Sequence, residues 1–166
     1  MVMGVTAFAL VQAACSNGSS GSTANGNAAA GDGQQGGQTD DVQTVSVSKG
    51  DLGQMLVDSH RRTLYVFLSD TSSKSTCYQD CADNWPALTT SGTPGAGAGV
   101  DASMLGTTRR TDGSTQATFD GHPLYVFSGD SAPGDANGEG IGNAWYVVAP
   151  DGTPIKKAGG GYNGRY

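Results

Sequence analysis

Alternating apolar and polar positions predict the first strands of this chain. Val45 and Val47 alternate with threonine and serine, the pattern of a half-buried strand. A second apolar run, Met55–Val57, leads through a polar turn into Leu64–Leu68, which predicts a β-hairpin. Leucine and valine lie on one face of the 64–68 strand, and tyrosine and phenylalanine on the other. Because both faces are apolar, we expect this strand in the centre of a sheet.

The same pattern returns later in the chain. Tyr65 and Trp85 recur as Tyr125 and Trp145, at one constant spacing of 60 residues. A repeat at fixed spacing, with no insertion between tyrosine and tryptophan, indicates two copies of one structural unit.

Asp-Gly dipeptides divide the second half into short segments at Asp112-Gly113, Asp120-Gly121 and Asp151-Gly152. Asp-Gly between alternating segments favours a type I′ hairpin turn, in which both central residues have positive φ. We therefore expect three tight hairpins in this half.

The predicted fold is mostly β, a small antiparallel sheet domain built from two sequence repeats. One short helical turn around Cys77–Trp85 interrupts the strands, and Pro86 ends it.

Composition suggests how the chain is divided. Glycine, serine and asparagine dominate before the first strand, and glycine dominates the last residues. The predicted segments are a signal segment (1–14), a lipid-anchor cysteine with a disordered linker (15–43), repeat one (44–88), a linker (89–99), repeat two (100–157) and a flexible tail (158–166).

The N-terminal residues predict an export signal and a tether. An apolar stretch, Val2 to Val11, is too short to span a bilayer and leads to Gln12-Ala13-Ala14-Cys15. This resembles a bacterial lipobox, in which the cysteine is lipidated. The polar residues that follow cannot bury enough apolar surface to fold, and as a random coil they reach about 25–30 Å. We expect an extracytoplasmic protein, lipid-anchored to the cell membrane through Cys15.

Charge excludes one class of partner. The net charge is −6, and no basic stripe is present to neutralise phosphates, so we expect no nucleic-acid binding. The arginine pairs Arg61-Arg62 and Arg109-Arg110 are expected at solvated strand ends.

Two six-residue motifs point to a family. Tyr65-x-Phe67-x-x-Asp70 and its copy, Tyr125-x-Phe127-x-x-Asp130, resemble the Tyr-x-(Phe/Trp/Tyr)-x-x-Asp motif of bacterial secreted-repeat lipoproteins. The surroundings are similar to that family as well: Cys77-x-x-x-Cys81-Ala82 before Trp85-Pro86, Arg110-x-Asp112-Gly113, Gly121-x-Pro123-Leu124-Tyr125 and Pro133-Gly134-Asp135-x-Asn137-Gly138. The resemblance implies export, lipid anchoring and two repeats, with no established activity. The second repeat departs from the first, since it lacks both cysteines and has Tyr146 after its tryptophan.

The cysteines allow two interpretations. Three are present, and lipidation of Cys15 would leave Cys77 and Cys81, four positions apart. Outside the cytoplasm a structural disulfide is the expected state. The alternative is a redox or soft-metal site, since two thiolates favour copper or zinc, with His60 or His122 as a further ligand.

A weaker pattern suggests calcium. Asp135, Asn137 and Glu139 place oxygen ligands at alternate positions, as in the first half of a calcium loop. The twelfth position is Tyr146 rather than glutamate, and Asp130 is the substitute ligand considered. The alternative is an ordinary polar loop that binds no metal.

The repeated aromatic residues also allow two interpretations. They form either core packing between strands or a groove for a stacked ligand, and core packing is favoured. The residues concerned are Tyr65, Phe67, Trp85, Tyr125, Phe127 and Trp145. Asp70 and Asp130 are expected to cap the turns after their strands by accepting backbone N–H bonds.

No Ser-His-Asp or Cys-His arrangement is recognisable, so we predict no enzyme. The predicted function is a membrane-anchored envelope lipoprotein of unknown activity, acting as a non-enzymatic binding or structural module. The alternative is an extracytoplasmic redox or copper-handling protein using Cys77 and Cys81. No cofactor is expected, with copper, zinc or calcium as the alternatives, and the ligand or protein partner is unknown.

Overall fold

The computed structural model describes residues 41–71 and 73–156, and the fold within them is mostly β, as predicted. The predicted anchor Cys15 and the segments around it lie outside these residues. The strands are β1 (Thr44–Gly50), β2 (Gly53–Val57), β3 (Tyr65–Phe67), β4 (Gly95–Ala96), β5 (Leu105–Arg109), β6 (Thr115–Phe119), β7 (His122–Pro123) and β8 (Trp145–Val147). The helical elements are α1 (Asp80–Asn84) and two 3-10 turns, Ala102–Met104 and Ile141–Asn143.

The strands form three small sheets. Their orders are β2–β1–β4, β5–β6–β7 and β3–β8. The register of the β1–β2 hairpin places Val47 opposite Leu56. The corresponding hairpin in repeat two, β5–β6, places Leu105 opposite Phe119. Each repeat therefore contributes one long hairpin, to which β7 adds a short third strand in repeat two, and one short strand, β3 or β8, that lies outside its own hairpin sheet.

The two repeats exchange their short strands. β3 of repeat one pairs antiparallel with β8 of repeat two, and Ala87 of repeat one bridges to Tyr125 of repeat two. Between these pairs, Tyr65 N–H donates to Tyr125 O at 2.9 Å and Tyr125 N–H donates to Tyr65 O at 3.0 Å. Equivalent residues that exchange both hydrogen bonds are related by a local two-fold axis. The repeats are therefore interlocked rather than placed side by side.

The interior contains two hydrophobic cores, and the segment around β3 contributes side chains to both. Leu64 and Val66 join the first core, whereas Tyr65 belongs to the second, aromatic core. This explains why both faces of the strand are apolar. Leu68 departs from the prediction because it is 45% exposed. The strand ends at Phe67, whose carbonyl accepts the turn hydrogen bond at 3.0 Å from Asp70 N–H, and the alternation is lost beyond it.

The three Asp-Gly turns are of two kinds. At Asp120-Gly121 both residues have positive φ, 46° and 75°, as a type I′ turn requires. At Asp112-Gly113 and Asp151-Gly152 only the glycine does, so the type I′ prediction is wrong there. In both cases the aspartate carboxylate accepts N–H and O–H bonds from the residue two positions on, which stabilises a different turn.

Part of the predicted 89–99 linker is a strand. β4 pairs parallel with β1, and Gly97 N–H donates to Val45 O at 2.7 Å. A Cβ at position 97 would collide with the Ser46 side chain, so the backbones approach this closely only because residue 97 is glycine.

Candidate functional site

Four aromatic rings form a continuous stack in the second core. In order they are Phe67, Trp145, Trp85 and Phe127, and we call them the aromatic stack. Their centroids are 4.2, 3.9 and 4.4 Å apart, and the two indole planes differ by only 2°. Each tryptophan is 5% exposed, and the outer phenylalanines are half-buried. The local two-fold axis passes between the two indoles.

One tyrosine contacts each tryptophan edge-on. Tyr65 lies 5.3 Å from Trp85 at 77°, and Tyr125 lies 5.1 Å from Trp145 at 88°. Both tyrosines are fully buried. Edge-to-face contacts place the positive ring edge against a negative ring face, which stabilises the pair beyond its buried area.

Each tyrosine donates a hydrogen bond to the aspartate of the other repeat. Tyr65 O–H donates to Asp130 Oδ2 at 2.7 Å, and Tyr125 O–H donates to Asp70 Oδ2 at 2.6 Å. The second carboxylate oxygen accepts a backbone N–H, from Thr76 in one repeat and from residue 137 in the other. Asp70 and Asp130 thus accept the backbone N–H bonds that the sequence predicted, although the donors lie six and seven residues further along the chain. The hydrogen bond from the tyrosine of the other repeat could not be predicted from the motif.

Burial shifts the pKa values of this network. Desolvation first, and then the hydrogen bond to a carboxylate, raise the pKa of Tyr65 and of Tyr125 well above the usual 10.0. Desolvation also raises the pKa of the Asp130 carboxyl, although bonds from Tyr65 and Asn137 oppose the shift. Both tyrosines are therefore neutral donors at physiological pH.

Cys77 and Cys81 form the expected disulfide, with their Cα atoms 5.3 Å apart. Cys77 is fully buried in the aromatic core, whereas Cys81 is partly exposed at the start of α1. His60 and His122 are both exposed. Within residues 41–71 and 73–156, no group of three or more histidine, cysteine or acidic side chains is placed to hold a metal ion.

The side chains of the calcium pattern contribute to local structure. Asp135 Oδ2 accepts backbone N–H bonds from residues 131 and 132, both at 2.9 Å. Asn137 Nδ2 donates to Gly129 O at 3.2 Å, and Glu139 Oε2 accepts from Val147 N–H at 2.8 Å. These bonds, with those of Asp130, shape the 129–140 loop.

Arg110 is the residue that sequence reasoning missed. Instead of lying at a solvated strand end it is 5% exposed. Its guanidinium donates to Ser75 Oγ, Gln116 Oε1 and Cys77 O at 2.7 to 2.8 Å, and it lies 4.4 Å from the centre of the Tyr78 ring. Its partner Gln116 is fully buried, and a buried amide needs a hydrogen-bond partner. In the sequence, however, Gln116 occupies a polar position of the alternating β6 strand, so no sequence signal indicated this contact.

A surface cleft of about 730 Å³ lies beside α1 and the β5–β6 turn. Most of its lining residues are small or hydroxyl-bearing: Ala82, Pro86, Ala87, Thr89, Thr90, Ser91, Arg110, Asp112, Gly113, Ser114 and Thr115. The aromatic stack does not line it, so the cleft and the stack are separate features. No helix in the described part of the chain has the length and apolar character needed to cross a membrane.

Comparison with known proteins identifies the repeat. A family model described as a secreted repeat of unknown function matches residues 46–89 and, a second time, residues 106–149. The two matches together cover more than half of the 166 residues. Neither the curated proteins nor the solved structures include a significant match.

Proposed function

The chain belongs to this family of secreted repeats of unknown function, and on that premise we propose that it acts outside the cytoplasm as a lipid-anchored, non-enzymatic binding or structural module. Cys15, directly after two alanines, would carry the lipid. The polar segment after it would hold the folded domain off the membrane surface.

One observation carries the module interpretation. The tyrosine and aspartate of each motif, which are its chemically active groups, bond across the two repeats at 2.6 and 2.7 Å. Groups that satisfy one another in this way stabilise one rigid shape, and a rigid, preorganised surface favours binding. A binding role would use the 730 Å³ cleft, whose lining combines hydroxyl groups with the ion-paired Arg110 and Asp112 and suits a polar ligand.

Lipid labelling tests the anchor. Cells expressing the full chain would be grown with a labelled fatty acid, and we expect label on the wild type and none on Cys15→Ala. Cys77→Ser is the matched control, because it removes a cysteine but keeps the anchor, and it should remain labelled. Label on Cys15→Ala would contradict the anchor.

The second candidate function uses the cysteines. It is favoured by the partial exposure of Cys81, whereas Cys77 is fully buried against the aromatic core. Thiol–disulfide exchange needs such access. The bridge would then open to a dithiol that cycles or binds copper(I) or zinc.

A double substitution separates the two functions. For a module, Cys77→Ser with Cys81→Ser lowers only stability, by about 2 kcal/mol or less, since the closed loop is very short. For a redox or metal protein, the reduced wild type shows a reproducible potential or stoichiometric copper binding that the double variant lacks. Calorimetry with copper(I) and a redox titration of the full chain distinguish these outcomes.

A further inference from the structure

The aromatic core brings together the side chains that are most easily oxidised by one electron. Trp85 and Trp145 are parallel at 3.9 Å, and Tyr65 and Tyr125 lie within 5.3 Å of them. Two indoles in face-to-face contact share a positive charge between them, which makes the pair easier to oxidise than a single indole. Electron transfer over such contacts needs no movement of the chain.

Each tyrosine has a carboxylate beside its phenolic O–H that can accept the proton when the ring is oxidised. A phenol that loses an electron becomes strongly acidic, so a nearby base must take its proton. Asp130 and Asp70 accept the phenolic O–H bonds at 2.7 and 2.6 Å, and each carboxylate is held in place by a second hydrogen bond from the backbone. Proton and electron therefore leave each tyrosine in different directions, one to a carboxylate and one to an indole.

The residues around the two indoles and the two tyrosines would protect a radical formed on them. Phe67 and Phe127, which are much harder to oxidise, cover the outer faces of the two indoles. Cys77 and Cys81, the two cysteines in the described ranges, are joined as a disulfide, so neither is a thiol that would quench a radical. Each of the two tryptophans is only 5% exposed to solvent.

We propose that the aromatic stack with Tyr65 and Tyr125 is a one-electron redox site, which accepts oxidising equivalents from small extracytoplasmic oxidants, either metal complexes or organic radicals. The oxidant removes one electron from the Trp85–Trp145 pair and leaves a radical cation. Tyr65 or Tyr125 returns an electron to the pair, and its phenolic proton moves to Asp130 or Asp70. The products are a neutral indole pair, a tyrosyl radical and a protonated carboxyl group. A one-electron reductant such as a quinol reverses the step, and the proton returns to the phenolate oxygen.

Electron paramagnetic resonance tests this site. The full chain would be oxidised by a photogenerated ruthenium(III) tris-bipyridine complex and frozen. We expect a tyrosyl signal in the wild type and its loss in Tyr65→Phe with Tyr125→Phe. We also expect the tryptophanyl signal to replace it in Asp70→Asn with Asp130→Asn, because an amide still accepts the hydrogen bond but does not take the proton. A tyrosyl signal unchanged in either double variant would overturn the proposal.

The controls separate the redox role from a structural one. Tyr146→Phe removes a partly exposed tyrosine next to Trp145 and should leave the signal unchanged. Near-ultraviolet circular dichroism shows whether each variant retains its packed core. If a double variant does not fold, the single variants decide. Tyr65→Phe should remove one of two tyrosyl components, and the survival of both components would overturn the site.

Discussion

At the scale of single residues, each position of the Tyr-x-Phe-x-x-Asp motif has its own contact in the other repeat. Tyrosine and phenylalanine lie two positions apart and so point to the same face of the strand. Tyr65 reaches Asp130, and Phe67 stacks on Trp145. The aspartate comes after a turn, where its carboxylate receives the tyrosine of the other repeat. The motif therefore encodes an interface between repeats.

The tyrosine–aspartate bond makes a measurable contribution to stability. Tyr65→Phe should lower the free energy of unfolding by about 1–3 kcal/mol, because it leaves a partly buried Asp130 oxygen without its donor. Tyr146→Phe is the matched control, since Tyr146 is partly exposed and its ring lies near Lys156 rather than a carboxylate. It should change the value by at most about 0.5 kcal/mol. Urea unfolding of both variants gives the comparison, and equal losses would contradict the bond's role.

The same tyrosines predict a loss of stability at alkaline pH. Their pKa values in the folded chain lie above the unfolded value of 10.0. The folded state thus keeps two protons that the unfolded state releases, and stability is complete below pH 10.0 but falls as the pH rises above it. In an absorbance titration followed also by circular dichroism, both phenols should ionise only as the chain unfolds. Their ionisation in a chain with an unchanged spectrum would contradict this.

At the scale of elements, the sequence pattern identifies strands better than it identifies their partners. The alternation around Tyr65 correctly predicted a strand that is covered on both faces, because such a strand needs apolar residues on both. It did not predict the sheet, since β3 pairs with β8 alone and only a single bridge joins Tyr65 to Tyr125 on the other side. The sequence around Tyr65 does not show that β8 and Tyr125 are its neighbours. Backbone N–H and C=O groups form the same hydrogen bonds with any strand, so the local pattern cannot identify the partner. β4 was missed for the same reason. Gly95 and Ala96 carry almost no side chain, and only their backbone contact with β1 defines the strand.

For the candidate site, too, the sequence identified the residues but not all of their contacts. Repetition alone singled out the tyrosines, tryptophans and aspartates. Cysteine count and the expected compartment favoured the Cys77–Cys81 bridge over a metal site, and the bridge is present. Arg110 could not be placed, because its partners Ser75 and Cys77 belong to a distant segment that it meets only in the folded chain. Pairings that depend on tertiary contacts need the structure.

Close packing of the 129–140 loop on the aromatic core depends on one glycine. A Cβ at Gly138 would lie 2.6 Å from Trp85 Cη2 and 2.9 Å from Tyr65 Cε1. Gly138→Ala should therefore cost about 1–3 kcal/mol and weaken the near-ultraviolet signal of the tryptophans. Gly92→Ala is the control, because its Cβ would meet only Val42 Cγ2 at an ordinary 3.7 Å. Equal stability of the two variants in thermal unfolding would show that the loop is free to move away.

At the scale of the whole molecule, the local two-fold axis explains why the repeats occur as a pair. β3 has its partner strand in the second repeat, and the carbonyl of Leu124 in the second repeat accepts the N–H of Leu88 in the first at 2.9 Å. The equivalent bond, from Val148 N–H to Leu64 O, measures 3.1 Å and runs the opposite way. One repeat alone would expose both an unpaired strand and half of the stack. Neither half should fold without the other.

A cut between the repeats tests this interlocking. A protease site inserted after Gly92, in a stretch that is mostly exposed, divides the chain without breaking a strand. We expect the cut halves to elute together in gel filtration and to unfold at a temperature that rises with protein concentration, because cutting turns folding into association. The uncut protein with the same insertion should show no such dependence. If the halves separate and each keeps its circular dichroism spectrum, the repeats are independent domains and the exchanged-strand architecture is wrong.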